Sequence, residues 1–529
     1  MRYSICLRNN HGFPWLCKSN IWVKGEVFIN GERIDGLDLL NLLEDENDTA
    51  IEVLVHKIGI NGSYTIVRAY EDSVEVLCDI VRSFPVFYRE KNDVYELTDA
   101  ILFDSSISID SDAALEYLTA GYVTGDRTIY KEWRQVRASE ALILRFDQKN
   151  GFTKSSVLGK KFSRNTNKAY IEEEKILEIC ESFDKVAENI KKLAKDNEIV
   201  IPLSGGLDSR LIAVMCKKSG LKNVSAFSYG APMNEESRIS KNVADALGIQ
   251  WHFVEYNSEK WAKIINNQAL FDYCRSGGSL PHVQDMIAID ELKSLGVLGV
   301  NSLILPGHSG DFIGGSHIPC HMAFSRGMSR NSVIEHFIRK HFRLDHHVLA
   351  ENRKAIESLI SSQLHAFLKI SVAEAVQCIE EWDLAERQAK YIINSVRGYE
   401  FHNIRWFCPL YDTALLSTLE NLSIPDIIET YLYRRAVKAY CHEILGDKFE
   451  YGVSTRSHWK YFPFYIVEKL SLRWLLPKPD SSEFMGCTIK GTGGRSFLGE
   501  LARFDLARLM EKISIANGNE SLCQGIGKC

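Results

Sequence analysis

The chain has 529 residues, and its 63 lysines and arginines against 69 aspartates and glutamates give a formal net charge of −6. Hydrophobic residues make up 45% and charged residues 25%, which is ordinary globular usage and excludes a collagen-like, coiled-coil or wholly disordered chain. The mild acidity disfavours a protein that binds the nucleic-acid backbone, since such proteins normally carry a basic surplus. At about 150 residues per domain, the length predicts two to four domains.

The cysteine and hydropathy patterns predict a cytoplasmic protein. Thirteen cysteines are scattered without a CxxC pair, which disfavours a disulfide framework or a cysteine zinc site. The longest apolar runs fall short of the roughly 18 to 20 residues that cross a bilayer, so no membrane insertion is expected. The first residues, MRYSICLRNNHGFPW, lack the apolar core and small-residue cleavage site of a signal peptide.

Residues 1–147 have the pattern of antiparallel sheets. Short β-branched and aromatic runs alternate with turn residues at 30–31, 61–62 and 91–93. The runs are IWVKGEVFI, TAIEVLVHKI, SYTIVRAY, SVEVLCDIV and EALILRF. Residues 148–169 are polar and rich in lysine, serine and asparagine, which predicts a linker.

From residue 170 onward, helices and strands alternate. Apolar residues recur at helical spacing over 176–193, and a buried-strand run follows at 199–203. The pattern then predicts helices over 211–216 and 235–247 and strands over 224–228, 251–256 and 302–305, with the remainder mostly helical. Such alternation indicates βαβ units and a parallel sheet. The predicted fold class is α/β, with an antiparallel β-rich N-terminal domain and a parallel-sheet C-terminal domain.

The segment IVIPLSGGLDSRLIAVMCKKSG, residues 199–220, carries the strongest chemical signal. A strand leads into the loop SGGLDS at 204–209, where a helix begins. The two glycines let backbone N–H groups crowd around an anion, and the helix N-terminus adds partial positive charge. Asp208 would repel a bare phosphate, a conflict that a divalent cation removes. The alternative is a helix capped by serine and aspartate, which needs only one such residue.

The loop SGGLDS resembles the pyrophosphate loop of ATP pyrophosphatases, and specifically that of the asparagine synthetase family. Further segments resemble the family in the same order, namely 227–230 (FSYG), 305–311 (LPGHSGD), 408–412 (CPLYD) and the basic helix at 431–440. The resemblance implies an Ntn-hydrolase-like sandwich domain at 1–147, a linker at 148–169, and an ATP pyrophosphatase (HUP-like) synthetase domain with added helices at 170–529.

The resemblance also implies ATP and Mg²⁺ as cofactors. The residues expected to contact ATP are Leu203, Ser204, Gly205, Gly206, Leu207, Asp208, Ser209, Tyr229, Pro306 and Gly307. Asp208 and Asp311 would hold Mg²⁺ on the phosphates, since magnesium prefers a few carboxylate oxygens together with phosphates and waters. The alternative for Asp311 is that Asp-x-x-Gly-Gly forms only a turn.

The N-terminus departs from the family's pattern. Glutamine-hydrolysing members begin, once mature, with a cysteine whose thiolate attacks glutamine. Here residue 2 is Arg2, and the nearest cysteine is Cys6. The N-terminal domain is therefore expected to keep the scaffold of a glutaminase without its activity, as in β-lactam synthetases and lasso-peptide cyclases.

Three further residues are candidates for catalysis. His308 stands where asparagine synthetases usually have glutamate, and it could take a proton from an attacking amine, or else only order the loop or bind phosphate. Glu400 is a candidate displaced carboxylate, because the family's Glu-x-Arg-x-Pro run is altered at 405–409. Lys460 is a candidate cation for the adenylation transition state, although an aromatic-flanked lysine is equally often a surface residue.

The function that the resemblance implies is that of an ATP-dependent amide-forming ligase. It would activate a carboxylate of a small molecule, peptide or sugar as an acyl-adenylate, release pyrophosphate, and transfer the acyl group to ammonia or an amine. Asparagine synthase-like amidation, uronate amidation in surface polysaccharide assembly and lasso-peptide-type macrolactam formation all remain open. The alternative of a different class is a non-catalytic nucleotide-binding relative. No nucleic-acid partner is expected, and a homodimer is left open.

Overall fold

A computed structural model of the chain describes residues 3–45, 49–51, 53–54, 61–101, 104–147, 151–159, 162, 164, 170–232, 234–446, 483–484, 487–488 and 497–516. The strands are β1 Tyr3–Cys6, β2 Leu16–Lys18, β3 Ile21–Ile29, β4 Glu32–Ile34, β5 Asn61–Ala69, β6 Ser73–Cys78, β7 Phe87–Lys91, β8 Val94–Thr98, β9 Arg134–Gln135, β10 Glu140–Asp147, β11 Gly151–Leu158, β12 Glu198–Pro202, β13 Val224–Gly230, β14 Gln250–Glu255, β15 Ser302–Ile304, β16 Met328–Ser329, β17 Lys369–Ile370, β18 Arg405–Trp406, β19 Glu483–Phe484 and β20 Cys487–Thr488.

The α-helices are α1 Gly36–Asp45, α2 Ser111–Ala120, α3 Glu172–Leu193, α4 Leu207–Lys218, α5 Glu235–Leu247, α6 Ser258–Ile265, α7 Gln268–Arg275, α8 Met286–Ser294, α9 Gly310–Gly314, α10 Arg330–His341, α11 His346–Gln363, α12 Val372–Trp382, α13 Arg397–Phe401, α14 Thr413–Leu419, α15 Ile424–Ile427, α16 Tyr431–Leu445 and α17 Phe497–Ala516. A π-helical segment, Asp383–Ile392, continues α12. Short 3₁₀ helices lie at Ala194–Asp196, Cys320–Phe324, Ile393–Val396, Pro409–Tyr411 and Ile428–Thr430. Among the described helices, none is both long and apolar enough to span a bilayer.

Two sheets form a sandwich in the N-terminal part of the chain. The larger sheet has the order β11-β10-β6-β5-β3-β2, with β4 paired to β3, and its pairs are antiparallel. The smaller sheet has the order β1-β8-β7-β9, in which β1 and β8 run parallel. Apolar side chains of both sheets, among them Val67, Val76, Tyr88, Leu97 and Leu142, form a common buried cluster. The predicted antiparallel β-rich N-terminal region is therefore confirmed.

Two of the three predicted turns close hairpins of this sandwich. Asn30 (φ 50°) and Gly31 (φ 79°) join β3 to β4, and Asn92 (φ 52°) and Asp93 (φ 57°) join β7 to β8. A positive φ at both central residues is the conformation that matches the twist of the flanking strands, and asparagine, aspartate and glycine adopt it at least cost.

The region between α1 and β5 differs from the sequence prediction. Asn61 and Gly62 do not form a turn but lie within β5, paired with β3. The run at 49–58 was predicted as a strand, whereas Ile51, Val53 and Leu54 are helical. Ile51 and Leu54 are buried and Val53 is 51% exposed, because apolar side chains three residues apart share one face of a helix.

The prediction of a linker over 148–169 is wrong for part of that segment. β11 pairs antiparallel with β10, so the sheet continues past the predicted boundary at residue 147. Further along, the buried Arg164 guanidinium donates to Glu380 (2.8 Å) and to the carbonyls of Ile313 (2.8 Å) and Leu419 (2.7 Å). β11 has a polar composition because it is an edge strand whose side chains are mostly exposed.

The C-terminal part is built on a parallel sheet with the order β14-β13-β12-β15-β18. The predicted helices and strands between 176 and 305 are confirmed, with ends shifted by a few residues. Strand β12 has its three central residues buried, as expected for a sheet covered on both faces. From β12 the chain fills one side of the sheet with β13 and β14, and later fills the other with β15. This reversal of strand order beside β12 is where open α/β sheets bind ligands.

Local sequence explains where the helices near this sheet begin and end. The side chain of Asn234 accepts from Ser237 N (2.7 Å) at the start of α5, and Gly248 (φ 67°) ends that helix. Helix α3 has three glutamates in its first turn and two lysines in its last turn, an arrangement that favours the helix dipole.

Candidate functional site

The loops that follow β12 and β15 lie against each other, because these two strands are neighbours in the sheet. A Cβ added at Gly307 would lie 2.8 Å from Ser209 N, and a Cβ at Gly310 would overlap the carboxylate of Asp208. Both positions therefore need glycine for the backbones to approach so closely. The backbone N–H of Asp311 donates to the Asp208 carboxylate. The structure thus brings together the two carboxylates that were predicted as metal ligands.

Hydrogen bonds hold the loop 204–209 in shape. Ser204 N donates to Ser209 Oγ (3.1 Å), and Gly206 N donates to Ser204 Oγ (3.1 Å). Helix α4 then begins at Leu207 with Gly206 as its N-cap, and no side chain caps it. The first turn of such a helix has N–H groups that an anion can satisfy, which is the geometry of a phosphate site. The alternative of a helix capped by serine or aspartate is not what the structure shows.

A cavity of about 200 Å³ opens at these loops. The predicted site residues that line it are Ser204, Gly206, Asp208, Ser209, Tyr229, Pro306, Gly307 and His308. Leu203, Gly205, Leu207 and the predicted metal ligand Asp311 are not part of the lining. Leu203 is buried, and its N–H donates to Phe227 O (2.8 Å), so its role is to end the strand.

The two aspartates differ in their electrostatics. Burial raises the pKa of Asp208 to about 7; a hydrogen bond from Tyr433 Oη (2.9 Å) works against this rise, and the charge of Asp311 adds to it. Partial burial also acts to raise the pKa of Asp311, but the hydrogen bond and charge of His317, the charge of Arg387 and the hydrogen bond from Phe312 N together outweigh burial and lower this pKa. A divalent cation between two carboxylates relieves their mutual repulsion.

The residues present fit a magnesium ion held mainly by its nucleotide. The described residues contain no group of three or more ligating side chains, so the protein could supply only Asp208 and Asp311 from this part of the chain. Magnesium accepts such a site, because it usually keeps several waters and takes the remaining ligands from substrate phosphates. Arg434 also acts on Asp208 by lowering its pKa, which places a positive charge near the predicted phosphate site.

His308 lies on the cavity wall, and its Nε2 is 2.8 Å from Ser395 Oγ. Burial lowers the pKa of His308 to about 4, although the charge of Asp285 opposes this shift. The imidazole is therefore neutral at pH 7 and has a nitrogen that can accept a proton. A pKa near 4 also makes this imidazole a weak base at neutral pH, and the predicted role of a base stays a prediction.

Sequence reasoning missed five lining residues, Pro202, His282, Gln284, Asp285 and Ser395. Asp285 accepts hydrogen bonds from the hydroxyls of Tyr229 and Tyr399. The ring of Tyr256 stacks on Tyr229 with centroids 4.8 Å apart, so that face of Tyr229 is not open to a nucleobase. The only signal for this wall in the sequence is a polar stretch between two helices, after a Gly-Gly pair.

The predicted catalytic residue Glu400 does not line the cavity. Glu400 is fully buried and accepts from Arg397 Nη1 (2.6 Å), Tyr273 Oη (2.9 Å) and Trp406 Nε1 (2.9 Å). A carboxylate with three protein donors and no exposure holds the core together, so Glu400 is not a displaced catalytic group. Lys460 lies outside the residues that the structure describes.

Comparison with known proteins finds similarities for this part of the chain. A family model described as asparagine synthase matches residues 184–445, which include both loops. The chain is also similar to an NH3-dependent NAD synthetase from Campylobacter jejuni subsp. jejuni NCTC 11168 in complex with the nitrate ion, with 14% identity, 38% of this chain and 99% of that chain covered, and a TM-score of 0.20. A structure of NMN synthetase from Francisella tularensis gives 12% identity, 41% and 95% coverage, and a TM-score of 0.20. TM-scores this low establish no shared fold.

Proposed function

We propose that this protein is an ATP-dependent ligase that forms carbon–nitrogen bonds, and the match of residues 184–445 to the asparagine synthase family model supports this proposal. A substrate carboxylate attacks the α-phosphorus of ATP and pyrophosphate leaves, which gives an acyl-adenylate. A nitrogen nucleophile then attacks the acyl carbon and AMP leaves. The observation that carries the proposal is the contact between the loops 204–209 and 305–311, which brings Asp208 and Asp311 together at the start of α4.

Each group at the cavity has a task in this reaction. The start of α4 and the hydroxyls of Ser204 and Ser209 bind and orient the phosphates. Asp208 and Asp311 would hold Mg²⁺, which when bound supplies positive charge to the departing pyrophosphate. His308 Nε2, beside Ser395, accepts the proton that the nitrogen loses as it attacks.

The lining supports ammonia or an amine as the nucleophile. Among the described lining residues, the charged side chains are Asp208 and Asp285, and both are carboxylates. A carboxylate can accept a hydrogen bond from the N–H of ammonia or a neutral amine, which is the form that attacks. We also propose that the protein does not hydrolyse glutamine itself, because Cys6 ends β1 inside the chain and carries a peptide nitrogen where a glutaminase cysteine carries a free amine. The proposed location is the cytoplasm, where ATP and magnesium are both present.

The proposal is tested by pyrophosphate exchange. The protein is incubated with ATP, magnesium, labelled pyrophosphate and a panel of small-molecule, peptide and sugar carboxylates, and label entering ATP is measured. We expect one acid class to support exchange, and Asp208→Ala to lower its rate by at least about 100-fold. The matched control is Asp245→Ala, an exposed aspartate of α5 paired with Lys241, which should leave the rate unchanged. Nucleotide binding without exchange across the whole panel would instead support a non-catalytic relative.

A further inference from the structure

A buried histidine lies between the predicted metal ligand Asp311 and a second carboxylate. His317 Nδ1 is hydrogen-bonded to Asp383, and His317 Nε2 is 3.5 Å from Asp311 Oδ2. The side chains of His317 and Asp383 are 4% and 0% exposed. The imidazole therefore has a fixed carboxylate on one side and the loop carboxylate on the other.

The network continues from Asp383 back to the same loop. Gln388 Nε2 donates to Asp383 Oδ1 (2.9 Å), and Gln388 Oε1 accepts from Ser309 Oγ (2.5 Å). Tyr411 Oη also donates to Gln388 Oε1 (2.9 Å) and lies 2.7 Å from Ser309 Oγ. The hydrogen bonds thus form a ring that leaves the loop at residue 311 and returns to it at residue 309.

Asp311 needs such support because its side chain is 60% exposed. Its Oδ1 accepts from Phe312 N (2.8 Å), while its Oδ2 faces His317 and the hydroxyl of Ser316 (3.4 Å). An exposed carboxylate without partners samples several rotamers, and fixing one of them opposes binding. The partner of Oδ2 that is itself buried and anchored is His317.

We propose that His317, anchored by Asp383 and Gln388, is a positioning residue that orients Asp311 and thereby sets the affinity of the site for magnesium-bound ATP. The proposal rests on the proposed function, since it takes Asp311 as a ligand of the nucleotide's metal. Replacement of a residue that is hydrogen-bonded to a metal ligand typically lowers metal affinity or activity by about 10- to 100-fold. Neither ring nitrogen of His317 faces the nucleotide cavity in this arrangement, because both are directed to carboxylates.

The test measures ATP binding by calorimetry, once with magnesium and once with a chelator. In His317→Asn the amide can still reach Asp383 but not Asp311, and we expect magnesium-dependent affinity to fall about 10- to 100-fold. In His317→Gln the amide nitrogen can occupy the place of Nε2, so this variant should recover part of the loss. Asp383→Asn is a second variant, which alters the anchor of His317 and leaves the side-chain volume of residue 383 unchanged. Binding measured with the chelator should not change in any of them.

The matched control is His336→Gln, which alters another buried histidine with no hydrogen bond to either ring nitrogen and no contact with Asp311. It should bind magnesium-bound ATP as the wild type does, even where its melting temperature falls. Three results would each overturn the positioning role. The variants could lose the same ATP affinity with and without magnesium, His317→Asn and His317→Gln could bind magnesium-bound ATP equally well, or His317→Asn could bind it as tightly as the wild type. A wild-type protein that binds no ATP in the presence of magnesium would overturn the proposed function as well, so the two failures are distinguishable.

Discussion

Replacing Gly307 with alanine tests how closely the two loops must approach. An added Cβ would lie 2.8 Å from Ser209 N, whereas ordinary contacts begin at 3.4 Å, so the loops must separate by about 0.6 Å. The neighbour is backbone and cannot rotate away. A misplacement of about 1 Å can cost on the order of 100-fold in rate. We therefore expect Gly307→Ala to lower the rate of pyrophosphate exchange roughly tenfold, because a shift of about 0.6 Å is smaller than one of about 1 Å.

Gly310→Ala disturbs the same loop contact more strongly. Its Cβ would overlap Asp208 and the hydroxyl of Tyr433, so the predicted metal ligand itself must move. We expect a loss of about 100-fold. Gly310 begins α9 and its φ is not positive, so alanine fits the local backbone, and the expected loss of stability is the roughly 1–3 kcal/mol of overpacking against Asp208 and Tyr433.

The assay for both variants is pyrophosphate exchange with the acid that supports it, together with thermal melting. Gly299→Ala is the matched control, because nothing lies within 4 Å of its added Cβ. Wild-type exchange in Gly310→Ala, or a larger loss in Gly307→Ala than in Gly310→Ala, would refute the inference that the loop contact places the catalytic groups.

Three other predictions concern the base, a buried ion pair and acid stability. His308→Gln should leave pyrophosphate exchange intact and slow amide formation by about 100- to 10,000-fold, measured as separate half-reactions, and equal losses in both steps would exclude the base role. Asp505→Ala should cost about 3 kcal/mol by urea unfolding, because it removes the buried carboxylate that pairs with Arg275 and leaves only the partly exposed Asp272 to pair with that guanidinium. Lys512→Ala breaks a pair in which both side chains are about one-third exposed, and it should cost under about 1 kcal/mol. Burial lowers the pKa of His341 from 6.5 to about 3, so its contribution to stability is complete above pH 6.5 and is lost as the pH falls toward 3. His341→Phe should therefore lose about 2 kcal/mol less than wild type on going from pH 6.5 to pH 5, and an unchanged pH dependence would show that His341 is not held neutral.

The parallel sheet and the nucleotide loop could be predicted from sequence because their signals are local. The run 199–203, the loop at 204–209 and the helix after it are continuous in the chain, and helical spacing fixed the helices at 176–193 and 235–247. The adjacency of Asp208 and Asp311 follows once β12 and β15 are neighbours in one parallel sheet. Hydrophobic periodicity and strand order were therefore enough to predict the sheet, the loop and the proximity of the two aspartates.

The remaining parts of the site depend on contacts that leave no local pattern. His317 meets Asp383, and His308 meets Ser395, across long stretches of chain, and no spacing rule connects such pairs. Glu400 illustrates the converse. A carboxylate near an altered motif suggests catalysis, but only its buried partners show that it stabilises the core. β11 was missed because an exposed edge strand and a polar linker have the same composition.

The N-terminal sandwich supports a segment of the chain that contacts the predicted site. The segment between α12 and α13 carries Gln388 and Ser395, which contact Ser309 and His308 at the predicted site. The same segment is anchored on the N-terminal region, where Lys390 Nζ donates to the carbonyls of residues 123 (2.8 Å) and 125 (2.7 Å). Lys390 is 1% exposed, so removal of these carbonyls would leave a buried ammonium with fewer partners, at a cost of several kcal/mol. Loss of the N-terminal domain would therefore release the segment that contacts His308 and its loop.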